Sequence, residues 1–554
     1  MDERLAAAWA ALPERLSAHV LLSTAALATA VALSLPLALL ALSRPRLRGA
    51  VLGTASAVQT VPGLALVALF YPLLLAVGAA TAQSFGWRPP ALGFIPAWMA
   101  LSLYAMLPIL RNAVAGFGGL DPAVLQAADA VGMTRRQRLL RVEAPLAAPV
   151  VMAGVRTAAV LTVGTAVLST PVGQPSLGDY IFSGLQTEDW TAVLFGCAAS
   201  AGLALVVDAA LGLVEAAAAR RDLRQAWTGG AILAAGVLAA LIPSFAGGRP
   251  GYVIGAKNFG EQFVLSELMA RRLRAAGADA TIRSGLGSAV IHRALAAGEL
   301  DAYVDYSGTL WTNVLGRKDT PPRAQLLAQL TAELRRRDGV VVVGSLGFEN
   351  AYALAMRAED AKRLDIGSLT ALARHAPDLR LASDLEFLNR PEWKALQSAY
   401  GLRFKASRSY TPTFMYRALE DGTADVATAF SSDGRLAGGA LVALTDDRSA
   451  VPTYDAVLLV SPRRAGDRRL LAALRPLVGA ITPDAMRAAN ADVDLHGRTP
   501  AAVAEVLARK MSSRAAEPTR DPGVQVARAA LGPGSPLRSG RDDRAGNRRV
   551  ERQP

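Results

Sequence analysis

The sequence is short of charge and of cysteine. Only 19% of its 554 residues are charged, where a soluble chain has about a quarter, and it has one cysteine. One cysteine excludes a fold built on disulfides, and a hydrophobic fraction of 52% excludes a disordered chain. The first 250 residues contain no lysine, and hold 16 arginines and 12 acidic residues. This low number of charged residues indicates that the first half contacts membrane lipid.

Several kinds of site lack their sequence signatures. The net charge of +13 does not form a basic stripe interleaved with aromatic residues, so no nucleic-acid partner is predicted. The four histidines have no metal-ligand spacing, and no catalytic triad stands out, so neither a metal site nor an enzyme is predicted. Phosphate-binding Gly-x-x-x-x-Gly-Lys-Ser/Thr and Gly-x-Gly-x-x-Gly motifs are absent. We therefore expect no cofactor on this chain and no ATPase within it.

Long apolar runs fill residues 1–246, which we predict to be a transmembrane domain of about six helices. A spanning helix needs ~20 apolar residues, and the candidate spans lie near 20–42, 51–80, 92–110, 147–170, 191–216 and 228–246. The first run exceeds the apolar core of a signal peptide, so we expect it to stay in the mature protein.

Arginine clusters set the predicted orientation. They follow the first, third and fifth runs, at residues 44–48, 135–141 and 220–224. These alternate loops are all cytoplasmic if the N-terminus is outside. With six spans, everything after Phe245 is then extracytoplasmic, in a multi-pass protein surrounded by membrane lipid.

The loop at residues 113–145 reads as two short helices around a glycine. Taken alone, it is an amphipathic interfacial loop. Its motif residues are Gln126, Ala127, Ala128, Gly132, Glu143 and Pro145. Their spacing resembles the coupling loop of ABC-importer permeases, although Gln126 stands where the family usually has glutamate. The resemblance implies a separate cytoplasmic ATPase, which holds the ATP and magnesium and docks on this loop.

Three further segments resemble the permeases of osmoprotectant importers. They are Gln-Thr-Val-Pro at 59–62, Leu-Pro-Ile-Leu-Arg-Asn at 107–112 and Ala-Gly-Val-Arg-Thr-Ala at 153–158. The resemblance covers most of residues 17–216 and implies a bacterial cytoplasmic membrane protein. Because such permeases form the pore in pairs, it also implies a second copy of this chain.

Two ionisable residues lie inside the predicted spans. Arg156 and Asp208 are nine and eight residues from the cytoplasmic ends of their helices, or ~12–14 Å deep at ~1.5 Å per residue. An unpaired charge at that depth is costly. We therefore predict an ion pair that fixes helix packing, and consider a role in substrate passage the weaker alternative.

Residues 251–511 have the pattern of an α/β domain with largely parallel sheets. Predicted strands lie at 252–255, 280–283, 300–306, 340–344, 352–357, 379–382, 425–429 and 454–460. Asn258 and Glu261 have the spacing of a capping box that opens the first helix. About 260 residues exceed one ordinary core, so two lobes joined by crossing strands are expected. Residues 512–554 read as a disordered basic tail.

Aromatic residues gather where the predicted strands end. They are Tyr306, Tyr352, Phe430 and Tyr454. Ligands of such sheets bind beyond the strand ends, although each ring alone is more often ordinary core or rim packing. Together, aromatic faces stabilise a quaternary ammonium by ~0.5–2 kcal/mol per ring. The set favours a trimethylammonium ligand.

The same half resembles the substrate-binding proteins of the glycine betaine/carnitine/choline class, which have a two-lobed periplasmic-binding-protein fold. The matching segments include Lys-Asn-Phe-Gly-Glu-Gln at 257–262, Asp-Ala-Tyr-Val-Asp-Tyr-Ser-Gly-Thr at 301–309 and Phe-Leu-Asn-Arg at 387–390. The resemblance carries the cage of that family to the four rings above, with Phe430 replacing a tyrosine. It also implies that Lys257, Thr309 and Arg390 grip a carboxylate.

These observations predict a permease fused to an extracytoplasmic binding domain, in an ATP-driven importer of quaternary amines. Cations beside the cage favour glycine betaine over choline, which has only a hydroxyl. Two alternatives remain. One is a membrane-tethered osmolyte sensor, and the other is an ABC importer of another small zwitterion or an amino acid.

Overall fold

The computed structural model describes residues 3–85, 89–187, 189–220, 222–246, 251–384, 387–410 and 412–516. Its chain divides into a compact unit, Met1–Ala508, and a second unit, Arg509–Pro554. The last described helix ends at Ala516, so the predicted tail begins with five helical residues, in an alanine-rich segment that favours helix. Residues 517–554 lie outside the described residues.

The membrane half is helical, as its apolar runs predict. Its helices are α1 (Glu3–Leu42), α2 (Pro45–Thr60), α3 (Gly63–Phe85), α4 (Phe94–Gly118), α5 (Pro122–Ala130), α6 (Arg135–Arg138), α7 (Ala144–Thr165), α8 (Gly178–Gln186), α9 (Trp190–Arg220) and α10 (Leu223–Ala246). Within the described ranges, five segments are long and apolar enough to span a membrane, or six if one bent pair is a single span. The prediction of about six spans is confirmed.

The bent pair corrects the second predicted span. Instead of one helix near 51–80, α2 and α3 meet at an angle of 101°. Pro62 at the break disfavours helical backbone at the preceding residue, and Val61 has an extended ψ of 129°. The carbonyl left over at Val61 accepts a hydrogen bond from the Tyr104 hydroxyl, which stabilises the break.

Helix α4 is the centre of the membrane half. Half of the residues in its most apolar segment are buried, a larger share than in the other described spans. Its buried face is rich in alanine, at positions 97, 100, 105 and 113. Small residues let helix backbones approach closely where lipid supplies no hydrophobic drive. Helices α1 and α7 pack on this face.

The described residues of the second half contain ten strands. They are β1 (Tyr252–Lys257), β2 (Ala280–Leu286), β3 (Ala302–Tyr306), β4 (Val341–Glu349), β5 (Tyr352–Arg357), β6 (Arg380–Asp384), β7 (Ala406–Tyr410), β8 (Val426–Phe430), β9 (Leu441–Ala443) and β10 (Asp455–Val460). They form two five-stranded sheets. The sheet of the first lobe has the order β2-β1-β3-β10-β4, and the sheet of the second lobe has the order β7-β6-β8-β5-β9. The two-lobed prediction is confirmed.

Both sheets are mixed. Strand β10 runs antiparallel to β3 and β4, and β5 runs antiparallel to β8 and β9. In each sheet four strands therefore run in one direction and one strand, β10 or β5, runs against them, so the expectation of largely parallel sheets holds apart from that strand. The chain crosses between the lobes twice, once from β4 to β5 and once into β10, so short crossing segments act as the hinge.

Helices cover the two sheets. They are α11 (Gly260–Ala275), α12 (Ser288–Ala297), α13 (Ser307–Thr309), α14 (Arg323–Asp338), α15 (Ala358–Arg363), α16 (Leu369–His375), α17 (Pro391–Tyr400), α18 (Pro412–Glu420), α19 (Arg468–Leu474), α20 (Pro483–Asp494) and α21 (Pro500–Ala516). The predicted capping box at Asn258 and Glu261 is wrong. Helix α11 has Phe259 at its N-cap without a side-chain cap, because Glu261 is buried and bonded elsewhere.

Candidate functional site

A cavity of about 240 Å³ lies between the two lobes. All seven ligand residues predicted from the sequence line it, namely Lys257, Tyr306, Thr309, Tyr352, Arg390, Phe430 and Tyr454. They come from different elements, because strand ends of both sheets and both crossing segments meet at this cleft. Within the described ranges, no cluster of three or more histidine, cysteine or acidic residues is arranged to hold a metal.

The predicted rings form a connected wall. Tyr352, at the start of β5, lies 4.9 Å from Phe430 and 5.9 Å from Tyr454 between ring centroids. Tyr306, at the end of β3, lies across the cleft in the first lobe. Rings from both lobes therefore line the cavity.

Phe259 is a fifth ring of this wall that the sequence reasoning missed. It lines the cavity at the start of α11 and stacks between Tyr306, at 6.2 Å, and Phe430, at 6.4 Å. The residue lies inside the Lys-Asn-Phe-Gly-Glu-Gln motif, directly after β1. Its place beyond a strand end is the signal that points to it.

A buried carboxylate orients Tyr306. Its hydroxyl donates to Glu261 at 2.5 Å, and the amides of Asn350 and Asn490 donate to the same carboxylate at 2.9 and 2.8 Å. Burial raises the pKa of Glu261, although these hydrogen bonds oppose the shift. Burial also raises the pKa of Tyr306 well above its usual value, so its hydroxyl remains a donor. These hydrogen bonds connect the first lobe to the segment between β4 and β5, which contains Asn350, and to α20, which contains Asn490.

A second buried carboxylate orients Tyr454. Its hydroxyl donates to Glu392, which also accepts from Thr312 of the first lobe at 3.0 Å and from Arg390 at 3.2 Å. Burial alone raises the pKa of Glu392, yet Arg390 beside it holds that pKa below its usual value. Glu392 therefore joins the two lobes beside the cavity, and sequence reasoning missed it.

The two predicted carboxylate-gripping cations have internal partners. Lys257 is buried, forms an ion pair with Asp305 and lies 5.3 Å from the Tyr306 ring centroid. Arg390 is paired with Glu392, and its guanidinium lies 5.0 Å from the Tyr352 ring centroid. Both cations therefore lie beside rings of the cage, and each has an acidic partner that neutralises its charge.

The residues of the predicted coupling loop differ in exposure. Gln126, Ala127, Gly132 and Pro145 are exposed, Ala128 is buried and Glu143 is half-buried. Gly132 has a φ of 79°, which a residue with a side chain rarely adopts. Arg138 bridges the two short helices, since it bonds Asp129 and Glu143 at 2.7 Å each. The loop is therefore braced by its own ion pairs.

The structure joins Arg156 to Asp208 as the sequence predicts. Both nitrogens of the guanidinium fork bond the carboxylate, at 2.6 and 2.7 Å. Glu215 also accepts from Arg156 at 3.1 Å, which sequence reasoning missed. Glu215 lies seven residues after Asp208, and this spacing puts both on one face of α9. Between them, Gly212 leaves the space that the guanidinium fills.

Comparisons with known proteins match both halves. The substrate-binding domain of ABC-type glycine betaine transport systems matches residues 251–508, and the inner membrane component of binding-protein-dependent transport systems matches residues 30–220. The chain is 27% identical to the ergothioneine transport permease/ergothioneine binding protein EgtU of Helicobacter pylori, over 80% of each chain.

Two further relatives each match one half. The chain is 35% identical to the carnitine transport permease protein OpuCB of Listeria monocytogenes, over 38% of this chain and 90% of that protein. A crystal structure of a glycine betaine/carnitine/choline ABC transporter is 28% identical, with a TM-score of 0.42, over 47% of this chain and 98% of that chain. The chain therefore belongs to the ABC importers of the osmoprotectant type, and is a membrane permease fused to its substrate-binding domain.

Proposed function

We propose that this chain imports a quaternary-amine zwitterion across the bacterial cytoplasmic membrane, with glycine betaine the favoured substrate. The observation that carries the proposal is the five-ring wall, from both lobes, with Lys257 and Arg390 against it. Aromatic faces attract a cation that has no hydrogen to donate. A primary ammonium needs acceptors instead, so the rings disfavour a simple amino acid.

The lobes are expected to close on the ligand outside the membrane. Each lobe contributes rings, so a ligand that touches both favours the closed arrangement over the open one. Glu392 supports the same arrangement, because it bonds Thr312 in the first lobe and Arg390 in the second. Closure is then the signal that the permease receives, and the ligand passes to a pore between two copies of the membrane half.

ATP hydrolysis is assigned to a separate cytoplasmic subunit. Permeases of this family work with a partner ATPase, and the exposed surface of α5 and the following turn is the proposed dock. The exposed apolar side chains Val131 and Leu140, at 73% and 58%, suit burial against a partner. A membrane-tethered sensor has no use for this surface, so copurification of an ATPase decides against the sensor.

A second candidate substrate is ergothioneine. The relative named for its transport matches 80% of this chain, including both halves. Ergothioneine also carries a trimethylammonium and a carboxylate, so the same rings and cations suit it. Its imidazole-thione ring needs further space and hydrogen-bonding groups, which Asn350 and Asn490 offer at the cavity wall.

Titration calorimetry of the purified full-length chain tests the substrate class. The ligands are glycine betaine, carnitine, choline and ergothioneine, with glycine as the primary-ammonium control. We expect glycine betaine to bind more tightly than choline, and glycine to show no binding. Failure of every quaternary amine at millimolar concentration contradicts the proposal, while ergothioneine binding alone favours the second candidate.

A further inference from the structure

The first lobe shares a buried core with the membrane half. One apolar cluster contains Tyr71, Leu74, Ala91 and Leu92 of the membrane half together with Leu286, Ile291 and Leu295 of the binding domain. Each of these side chains is less than 9% exposed. Burial of this kind stabilises a contact in proportion to the apolar area removed from water. The two halves are thus docked within one chain.

Glu299 fixes the position of this docking. It follows α12, and its two carboxylate oxygens accept the backbone N–H groups of Ala91 and Leu92 at 2.9 Å each. Arg283 from β2 lies against Gly93, and its side chain also contacts Gly173. Both glycines have positive φ, 79° and 75°. The loops of the membrane half that contain residues 91–93 and Gly173 therefore pack in a defined position against the ends of β2 and α12.

This docking places Gln186 at the ligand cavity. Gln186 ends α8, is half-buried and lines the same cavity as Tyr306 and Arg390. Among the lining residues that the structure describes, it alone belongs to the membrane half. Helix α8 is held firmly, because a Cβ at Gly196 of α9 would lie 2.7 Å from the Cβ of Tyr180.

The cations that line the cavity already face acidic partners. Lys257 pairs with Asp305, and Arg390 pairs with Glu392. Arg435 lies 3.9 and 3.8 Å from the carboxylates of Asp433 and Asp494. A ligand carboxylate competes with these acids for each cation. A carboxamide offers two N–H donors without a charge, and no acid has to be displaced.

We propose that Gln186 closes the ligand cavity from the membrane side and donates a hydrogen bond to the carboxylate of the bound zwitterion. The complete binding site then exists only while the first lobe is docked on the permease. This inference rests on the proposed function of the cleft. It assigns part of the substrate selectivity to the permease itself.

Ligand titration of the full-length chain tests the hydrogen bond. A hydrogen bond to a charged acceptor is stronger than one between neutral groups, so Gln186→Ala is expected to weaken glycine betaine binding by about 10-fold or more. Choline has no carboxylate, and its affinity should change less than twofold. Thr187→Ala is the matched control, since the Thr187 hydroxyl donates to the Ser183 carbonyl of the same helix turn and Thr187 is not among the described residues that line the cavity. Unchanged betaine affinity in Gln186→Ala, or equal losses for both ligands, overturns the proposal.

A double variant tests the dependence on docking. Glu299→Ala removes the acceptor of the two backbone N–H groups, and Gln186→Ala should then cost less in that background than in the parent chain. Full additivity of the two losses contradicts the link between docking and ligand contact.

A cross-link tests the geometry without any ligand. Gln186→Cys and Ser288→Cys are introduced together after Cys197→Ala, because both positions line the cavity and Cys197 is the only cysteine. A short bifunctional thiol reagent should join the two in the membrane-embedded protein, whereas Thr187→Cys with Ser288→Cys should react far less. Absence of the Gln186 cross-link overturns the proposal even if quaternary amines bind. If the cross-link forms and no quaternary amine binds, the proposed function fails instead.

Discussion

Two buried glutamates orient the tyrosines of the cage. Glu261 accepts from Tyr306, and Glu392 accepts from Tyr454. Because both hydroxyls are bonded to protein, the ring faces rather than the hydroxyls are left to meet a ligand. Replacement of the fourth tyrosine by Phe430 therefore keeps the surface that a quaternary ammonium uses.

Tyr352 tests the cage most simply, since it contacts two other rings of the cage. Tyr352→Ala should weaken glycine betaine binding by about 0.5–2 kcal/mol, which is roughly 2- to 30-fold. Tyr352→Phe keeps the ring and should retain most of the affinity. Calorimetry on the full-length chain gives both values. Equal losses in the two variants would show that the hydroxyl, rather than the π face, holds the ligand.

Arg390 tests carboxylate recognition. Arg390→Ala should reduce glycine betaine affinity by about 10-fold or more, because a charge-assisted hydrogen bond is lost, and should affect choline much less. Lys394→Ala, in the same region of α17 but outside the cavity lining, is the control. Comparable losses for both ligands count against a carboxylate contact at Arg390.

Glu392 gives the cleft a pH dependence. Since Arg390 lowers its pKa in the folded protein, the pair stabilises the fold above the unfolded value of about 4.3 and is lost as pH falls through the lower folded value. Glu392→Gln should lower the free energy of unfolding by about 1–3 kcal/mol at pH 7, and by progressively less as pH falls through the folded pKa. Thermal unfolding of the parent chain and of Glu392→Gln, from pH 7 downwards, measures the difference in their stability. A difference that does not change with pH refutes the stabilising ion pair at Glu392.

At the scale of elements, the sequence was most informative where the pattern was strong. Strand ends located four rings of the cage, and alternate arginine clusters located the loops. Strands β7 and β9 were missed, because β7 is polar and largely exposed and β9 has three residues. Phe259 was missed although it follows a strand end as the other rings do, because it was read only as part of a motif. Glu392 was missed because one acid beside a predicted cation has no periodic signal.

Helices α7 and α9 are tied by a charge network that the sequence predicted in part. Asp208→Asn leaves Arg156 with Glu215 alone, and Arg156→Gln leaves two acids together. We expect Arg156→Gln to lower the yield of assembled protein more than Asp208→Asn, because two like charges remain in the membrane. Asp222→Asn, between α9 and α10 and outside this charge network, is the control. Size-exclusion profiles of detergent-solubilised protein report assembly, and wild-type profiles for both span variants would contradict a packing role.

In the whole molecule, the membrane half and the binding half differ in charge and hydropathy. The apolar excess belongs to helices α1 to α10, and its arginines mark loops on one predicted side. The segment from Met511 carries 9 arginines against 5 acids, so it accounts for part of the positive net charge. What the sequence could not supply is the docking of the halves, because Glu299 meets backbone N–H groups, and a backbone contact leaves no pattern of residue types.

ATP-driven uptake into proteoliposomes tests the central claim most directly. The full-length chain is reconstituted with its copurified ATPase, and labelled glycine betaine is supplied on the side of the binding domain. We expect labelled glycine betaine to accumulate only when ATP is present. Other quaternary amines should compete with this uptake, and a chain carrying Tyr352→Ala and Arg390→Ala should lose it. Binding without any ATP-dependent accumulation would contradict an importer and favour a sensor.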